Sequence, residues 1–447
     1  MRERILLFII LSFLGVFLFI FQNYVNTAIG FGILCVVLSI YGLYSIAATK
    51  YRKRKLKKHP PVINENYKPF VSIMIPAHNE EYVIRNTVDN IRKIDYPNFE
   101  IIIIDDRSSD NTPNIIKELE NQYENVIAMI RTPDAFPGKS AVLNDAMKIA
   151  KGEAILVFDA DATVEPDFLN LLIPKLEPAD VGAVQARKII RNKDYNLLTR
   201  CQNDEYTMDT HFQVGRDAVK GAAELRGNGE LIKRAALEDI GGWNNYTITD
   251  DLDMSTRLHI KGWDIRFCPE ACVYEEGIIY LTPLFRQRRR WLEGTIRRYL
   301  EYFYEAMKSK KMSLRARLDM AIYITQFILP LWFILEIVFR VIKMLMDKGD
   351  FGLHNVIWSS VFISAVMGMG FFLAIRYGLR RYDNVPRLRA LKQAFVTTIY
   401  FLMIWFPIML FICGKILFCK KDMNWGKTAH GLVVEEETKI SQEMNIK

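Results

Sequence analysis

Two carboxylates stand one residue apart at the end of an apolar stretch. Residues 155–158 are apolar, and Asp159 and Asp161 follow them in FDADATVEP. A strand that ends on Asp-Ala-Asp is poorly suited to a core and well suited to holding a cation. Because His, Cys and Met are absent nearby, only oxygen ligands are offered, which favours Mg²⁺ or Mn²⁺ over zinc. An ion held by two carboxylates keeps open coordination positions that substrate phosphate oxygens would fill.

A phosphate-bearing substrate needs further partners in this chain. The sequence has no GxxxxGK[ST] loop, and GNGELI (227–232) lacks the third glycine and the preceding strand of a dinucleotide site. The phosphates must therefore be held by the metal and by side chains. Lys139, in FPGKSAVLNDA, is a candidate cation, although a lone lysine is more often a solvated surface residue.

Apolar stretches and helical spacing alternate around these residues. Strands are predicted for FVSIMI (70–75), EIIIID (100–105), NVIAMI (125–130), EAILVF (153–158) and VGAVQA (181–186). Helices are predicted for 80–94, 113–122 and 139–150. Continuous apolar strands alternating with helices predict a parallel sheet that is covered on both faces.

Polar and acidic residues recur where three of these strands end. They are PAHNEE (76–81), DDRSSD (105–110) and the Asp-Ala-Asp turn. Ligands gather at the carboxyl ends of the strands in such sheets, so three acidic ends on one edge predict a site. For Asp110, Asn111 and Thr112, helix capping is the stronger interpretation.

Five apolar segments flank this unit and predict a membrane protein. They are 5–21, 28–48, 320–346, 356–375 and 394–418, whereas 51–309 has the mixed polarity of a soluble domain. The first two segments are each long enough to cross a hydrocarbon core and predict a helical hairpin. The six cysteines suggest neither a disulfide framework nor a zinc site, which fits a reducing setting.

The positive charge is placed beside these segments. The formal net charge is +8, and basic runs at 50–60, 376–392 and 420–427 each follow an apolar segment. Such runs mark the cytoplasmic side and attract anionic lipid headgroups, so the placement excludes nucleic acid as the partner and puts the large domain in the cytoplasm. Because 376–392 and 420–427 are then on the same side, 394–418 is predicted to be a re-entrant or interfacial helix pair around Pro407, leaving four true spans.

Taken together, the motifs resemble the membrane-embedded processive family 2 glycosyltransferases, the group that contains cellulose, hyaluronan and poly-N-acetylglucosamine synthases. The resemblance rests on the order and spacing of PAHNEE, DDRSSD, GKSAVLNDA, FDADATVEPDFL, GNGELIKRAALEDIGGW, ITDDLDMSTRLHIKGW and QRRRW, and it covers 71–291 closely. It implies a Rossmann-like α/β GT-A domain with a mostly parallel sheet, inserted between groups of transmembrane helices, and a UDP-sugar donor. The expected parts are a transmembrane hairpin (1–50), the cytoplasmic catalytic domain (51–282), amphipathic interface helices (283–318), transmembrane helices (319–419) and a cytoplasmic tail (420–447).

The resemblance also implies donor-binding roles. Asp105 and Asp106 look like the acidic pair near the uridine, with Ala77, His78, Asn79 and Glu80 around the same base. Lys139 and Asp159 would sit by the nucleotide or its diphosphate, and Asp159 with Asp161 looks like the metal-binding DxD motif.

Asp251 matches the carboxylate that serves the family as catalytic base, and Asp250 stands where the family usually has glutamate. An acceptor hydroxyl needs such a base as it attacks the anomeric carbon. One base without a covalent step implies inversion, so an α-linked donor would give a β linkage. The other interpretation of TDDLD is a helix N-terminus with Thr249 as cap, and both can hold.

Two later motifs complete the resemblance. Gln287, Arg290 and Trp291 match QxxRW, which would present a guanidinium to the diphosphate and an indole to the acceptor sugar. They lie in an arginine-rich amphipathic stretch, 285–307, which alone predicts a helix in the headgroup region. WGKTAHG resembles a short gating motif and supplies Trp425, Lys427 and Thr428; alone, Trp425 would be an interfacial aromatic anchor.

These features predict an inverting, processive β-glycosyltransferase of the cell membrane. It would polymerise a UDP-hexose, glucose rather than N-acetylglucosamine, and pass the polysaccharide through its own helices. Its expected partners are the UDP-sugar, the growing polysaccharide, the bilayer and Mg²⁺ or Mn²⁺. The alternatives are a non-processive transferase that adds one sugar to a lipid, and a nucleotide-binding transporter or scaffold.

Overall fold

The computed structural model of the chain describes residues 2–24, 27–59, 64–324 and 368–419, and four isolated positions between 325 and 367. The predicted gating residues Trp425, Lys427 and Thr428 lie outside the described residues, as do most of the apolar segments 320–346 and 356–375. Two long helices, α1 (Arg2–Tyr24) and α2 (Thr27–Lys58), contain the first two apolar segments.

Strands and helices alternate in the middle of the chain. The strands are β1 (Val71–Ala77), β2 (Phe99–Asp105), β3 (Val126–Ile130), β4 (Ala154–Val157), β5 (Thr163–Val164), β6 (Val181–Ile190), β7 (Glu230–Lys233) and β8 (Asp264–Glu275). The helices are α3 (Ile84–Ile91), α4 (Thr112–Gln122), α5 (Lys139–Met147), α6 (Phe168–Leu176), α7 (Leu197–Ala218), α8 (Arg234–Asp239) and α9 (Asp250–Lys261). All five predicted strands are present. The helix predicted from residue 80 starts later because residues 81–83 form a turn.

The eight strands form one mixed sheet in the order β3-β2-β1-β4-β7-β6-β8-β5. β1 pairs in parallel with β2 and β4, and β2 pairs in parallel with β3. β7 lies between β4 and β6 and runs antiparallel to both. Because β7 is antiparallel to both neighbours, β6 runs in the same direction as β4, and β6 pairs in parallel with β8. The expected mostly parallel sheet is therefore confirmed, and β7 and β5 are its antiparallel strands. β7 was not predicted, since its four residues are too few to show a periodic pattern.

The sheet is buried on both faces, as its continuous apolar strands predict. Ile73 and Ile75 pack into the core on one face, and Met74 packs into the core on the other. Burial of such a side chain contributes roughly 1.5–3 kcal/mol. The register pairs Ala77 with Asp105, and Met74 with Val157, so the carboxyl ends of β1, β2 and β4 share one edge.

The last helix, α11 (Arg387–Phe418), is continuous through Pro407. The predicted re-entrant or interfacial pair over 394–418 is therefore wrong. A proline removes one backbone hydrogen bond, and packing against neighbouring helices can offset that loss; α11 packs against α1 and α7. Among the described residues, α11 is the one helix long and apolar enough to cross a membrane. The expected number of spans stays a prediction.

The helix α10 (Leu281–Lys308) packs against α9 and α11. Three of its arginines are buried, so the expectation of a helix lying mostly in the headgroup region is wrong for this face. Each has a carboxylate partner that offsets the cost of burying a charge. The pairs are Arg288 with Glu205, Arg297 with Glu293, and Arg298 with Glu224.

Candidate active site

One cavity of about 440 Å³ opens at the carboxyl edge of the sheet and reaches α10 and α11. It brings together most of the residues that the sequence singled out. The predicted residues that line it are His78, Glu80, Lys139, Asp159, Asp161, Asp250, Asp251, Gln287, Arg290 and Trp291. Four others, Ala77, Asn79, Asp105 and Asp106, lie outside its lining. The shared cavity is the geometry that the predicted roles require, and the roles themselves stay predictions.

Lys139 connects two of these motifs. It is the first residue of α5, and its Nζ donates to Asp159 Oδ1 at 2.6 Å and to the carbonyl of Gly227 at 2.9 Å. Its side chain is only 14% exposed, so the solvated-surface interpretation is wrong. Burial lowers the pKa of Lys139, but Asp159, Asp250 and nearby Glu230 outweigh that effect and raise the pKa above its ordinary value. The lysine therefore stays charged at neutral pH.

The Asp-Ala-Asp turn fits a divalent cation that substrate would help to bind. Asp161 is buried, and its Oδ2 accepts a hydrogen bond from the backbone N–H of Glu276 at 2.7 Å. Asp159 is 37% exposed and faces the same cavity. Within the described residues no group of three or more metal-ligating side chains is present. The protein therefore offers two hard oxygen ligands here, which suits Mg²⁺ or Mn²⁺ completed by phosphate oxygens.

Asp250 and Asp251 are the first two residues of α9. Asp251 Oδ1 accepts from the backbone N–H of Leu252 at 2.8 Å, and Asp250 Oδ2 is buried without a hydrogen-bond partner in the described part of the chain. A Cβ added to Gly227, which has φ +77°, would lie 3.4 Å from Asp251 Oδ2. Gly227 therefore lies beside Asp251 and accepts a hydrogen bond from Lys139. The predicted cap is only half right, since Thr249 precedes the helix but its side chain makes no capping hydrogen bond.

Burial raises the pKa of Asp251 to about 6, and the neighbouring carboxylate of Asp250 acts in the same direction. Arg226 and Lys139 oppose the shift. A carboxylate with a pKa near the working pH is well matched to general base catalysis. Such a group is ionised at neutral pH and still basic enough to take a proton.

If Asp251 is the base, turnover should fall as the pH drops through about 6, because only the ionised carboxylate accepts a proton. The measurement is kcat between pH 5 and 8 at saturating donor and metal. We expect kcat to fall about tenfold between pH 7 and pH 5, as the ionised fraction of Asp251 does. A profile that stays flat down to pH 5 would assign the proton transfer to another group.

The wall opposite the strand ends comes from α10. Burial lowers the pKa of Arg290, and Asp250, Asp159 and Asp251 oppose that shift. Trp291 stacks with Tyr206 at a centroid distance of 6.5 Å, and the guanidinium of Arg288 lies 4.2 Å from the centre of its indole ring. The QxxRW side chains therefore line the same cavity as the carboxylates of the Asp-Ala-Asp turn and those at the start of α9.

Three cavity residues near Trp291 were missed in the sequence. Lys188 lies 3.0 Å from Glu275 Oε2, and Tyr206 donates its hydroxyl to Glu275 Oε1 at 2.5 Å. They come from β6, α7 and β8, which meet only in the folded chain. No local spacing links them, so the sequence carried no signal for this cluster.

The residues predicted around the uridine lie at the ends of β1 and β2. His78 Nδ1 is 2.7 Å from the carbonyl oxygen of Asp106, and Asn79 Oδ1 accepts from the N–H of Ser109 at 2.7 Å. Asp105 Oδ1 is buried without a hydrogen-bond partner among the described residues, whereas the Asp106 carboxylate pairs with buried Arg131 at 2.7 Å.

The Asp106 carboxylate is held by the cations Arg107 and Arg131, whereas Asp105 Oδ2 accepts from the backbone N–H of Ser108. The expected contacts of both residues with the nucleobase stay predictions. Arg131 is a further residue that sequence reasoning missed. It also pairs with Asp145 at 2.8 Å, so it ties the end of β2 to α5.

Part of the cavity lining is apolar. This part comes from α7, from the helical residues 368–381 and from α11, and Phe401 contacts both Phe371 and Trp405. The side chains are Met208, Phe212, Phe371, Phe401, Trp405, Phe406 and Met409. Sequence reasoning treated 356–375 and 394–418 only as membrane segments and assigned them no role in the site.

The chain is similar to known glycosyltransferases. The family model described as glycosyltransferase like family 2 matches residues 69–294. A β-monoglucosyldiacylglycerol synthase of Trichormus variabilis is 37% identical over 401 residues, covering 88% of this chain and 82% of the relative. A poly-β-1,6-N-acetyl-D-glucosamine synthase of Staphylococcus epidermidis is 30% identical over 246 residues, covering 55% of this chain and 59% of the relative.

A solved structure shares the fold. A mannosyltransferase from Pyrobaculum calidifontis, in complex with GDP-Man and Mn²⁺, matches with a TM-score of 0.55 and 20% identity, covering 83% of this chain and 99% of that chain. This likeness confirms the expected GT-A-like fold, and the sheet is mixed but mostly parallel.

Proposed function

Since the chain belongs to the family 2 glycosyltransferases and is a glycosyltransferase, we propose that it transfers one hexose from a UDP-sugar to a neutral lipid alcohol and forms a β linkage. The observation that carries the proposal is that two unlike sets of residues line one cavity. One set is the acidic turn, Lys139 and Asp251, and the other is made of aromatic side chains of α11. Relatives named β-monoglucosyldiacylglycerol synthase support glucose and a diacylglycerol-type acceptor.

The charge of the cavity favours a neutral acceptor. Carboxylates outnumber Lys and Arg among its lining residues, and Asp251 itself must be ionised to act. A lipid whose nucleophile is a phosphate would bring a second negative charge against that base. A lipid hydroxyl brings none, and its acyl chains suit the apolar part of the lining, which includes Phe401, Trp405 and Met409.

In the proposed reaction, the ionised carboxylate of Asp251 takes the proton of the acceptor hydroxyl while that oxygen bonds to the anomeric carbon. The bond from the anomeric carbon to the diphosphate oxygen breaks on the opposite side, so the configuration inverts. Lys139 and Arg290 are the cations that stabilise the charge developing on the diphosphate. A divalent cation held by Asp159 and Asp161 would supply further charge stabilisation to the leaving group.

A processive polysaccharide synthase is the second candidate. It is favoured by the QxxRW side chains in the cavity and by the relatives named poly-β-1,6-N-acetyl-D-glucosamine synthase. The lipid acceptor has the stronger support, because the glycolipid synthase matches a larger share of both chains. In either case we propose a membrane-bound enzyme, with the catalytic domain (51–282) in the cytoplasm. Because the chain belongs to a glycosyltransferase family, we reject the alternative of a nucleotide-binding transporter or scaffold.

The acceptor class is tested with purified full-length protein in vesicles. UDP-glucose, UDP-N-acetylglucosamine and GDP-mannose are each supplied with diacylglycerol, with a polyprenyl phosphate or with no added acceptor. We expect label to enter diacylglycerol, most rapidly from UDP-glucose. Label confined to the polyprenyl phosphate would contradict the neutral acceptor, and transfer from GDP-mannose alone would contradict the UDP-sugar.

A further inference from the structure

We propose that Gly294 is a positioning residue, which sets the distance between the α10 wall of the cavity and the base at the start of α9. The inference rests on the proposed function, because it concerns how Arg290 and Asp251 are held around one reacting centre. Its basis is a close approach of two helices at a residue that no motif above assigns.

The approach leaves no room for a side chain at position 294. A Cβ added there would lie 2.5 Å from Thr249 Oγ1 and 2.9 Å from Thr249 Cβ, and closer still to Thr249 Cγ2. Separations below 3.0 Å are essentially never seen for real Cβ atoms. Gly294 is buried and lies inside α10, where alanine would stabilise the helix better than glycine does. The contact with Thr249 gives a physical reason for a glycine at this place.

The side chain of Thr249 is buried at this contact. It is 6% exposed, its hydroxyl has no hydrogen-bond partner in the described part of the chain, and it makes no capping bond to α9. It directly precedes Asp250 and Asp251. A displacement of Thr249 would therefore move both carboxylates.

Helix geometry relates Gly294 to Arg290 and Trp291, the residues of α10 that line the cavity. Residues four apart lie on the same face of a helix, so Gly294 shares a face with Arg290, and it is three residues from Trp291. The close approach at Gly294 thus brings that face of α10 against the N-terminus of α9. Two walls of the cavity are set by one contact between Gly294 and Thr249.

The test adds a methyl group at this contact and then removes its partner. Gly294→Ala is expected to lower kcat about 100-fold, since a displacement of about 1 Å can cost that much. The KM for the UDP-sugar and UDP binding should stay near the parent values, while the thermal midpoint should fall, because the added methyl group overpacks a buried contact. Thr249→Gly in the same chain removes the three opposing atoms, keeps an acceptable N-cap, and should recover at least about tenfold of the loss. Gly414→Ala is the matched control, because its Cβ would meet nothing within 4 Å.

Thr249→Ile tests the contact from the other side and leaves α10 unchanged, so a folding defect of Gly294→Ala does not end the test. It should also lower kcat with donor KM retained. Parent-like kcat in Gly294→Ala, or a loss that Thr249→Gly does not relieve, would overturn the inference. An inactive parent protein would instead refute the proposed function.

Discussion

Asp251→Asn is expected to lower kcat by about 10³-fold and to leave UDP binding unchanged. The side chain keeps its shape, but an amide cannot take the proton of the acceptor hydroxyl, and general base catalysis is worth about 10²–10⁴-fold. Burial and the neighbouring Asp250 raise the pKa of Asp251 to about 6, which suits a general base at neutral pH. The measurement is single-turnover transfer, with UDP binding determined separately by calorimetry.

Two variants sharpen this result. Asp239→Asn removes an exposed carboxylate of α8 outside the cavity and should transfer at the parent rate. Asp250→Asn removes a carboxylate that raises the pKa of Asp251, so the acidic limb of its pH profile should move to lower pH. Parent-like turnover in Asp251→Asn, with Asp239→Asn also active, would refute the assignment of the base.

Removal of divalent cations is expected to reduce transfer to background. The acidic turn offers carboxylates to a hard cation, and without that cation no metal charge would offset the repulsion between the diphosphate and Asp159 and Asp161. Mg²⁺ or Mn²⁺ should restore activity after chelation, while Zn²⁺ should do so poorly because the ligands are all oxygen. The measurement is the initial rate in excess chelator and after each metal is added back.

A binding readout separates a metal site from an inhibitory effect of the chelator. With UDP present, Mn²⁺ should raise the thermal midpoint of the parent, since a ligand at 100 times its Kd stabilises by about 2.7 kcal/mol. Asp161→Asn should lose most of that shift. Asp167 is an exposed carboxylate six residues after Asp161, and Asp167→Asn should keep the Mn²⁺-dependent shift of the thermal midpoint. Full activity in excess chelator would remove the metal from the account.

The strand ends were predictable because periodicity and turn chemistry are local. The apolar run before Asp159 predicted a buried strand, and β4 ends two residues before that aspartate. The rule that ligands gather at the carboxyl ends of strands then predicted a shared site. His78 and Glu80 after β1 do line one cavity with Asp159 and Asp161, whereas residues 105–110 at the end of β2 lie outside its lining. The strand ends themselves were recognised from residues close together in the chain.

Features that depend on tertiary packing were not predictable in the same way. The arginines of α10 resemble a membrane-surface pattern, but Arg288 is fully buried. Its burial is tolerated because Glu205 of α7 forms an ion pair with it. The antiparallel strand β7 is too short to show a pattern, and it separates β4 from β6. The aromatic part of the cavity lining was hidden because Phe401 and Trp405 look like any apolar helix until α11 is placed against the site.

The most direct test of the account is the size of the product. Purified protein in vesicles that contain diacylglycerol is incubated with radiolabelled UDP-glucose and Mg²⁺. The products are separated by thin-layer chromatography, and their masses are measured by mass spectrometry. The account predicts a single labelled lipid with the mass of the acceptor plus one hexose, made in proportion to the diacylglycerol supplied. A ladder of longer chains, or an immobile polymer made equally well without diacylglycerol, would contradict it.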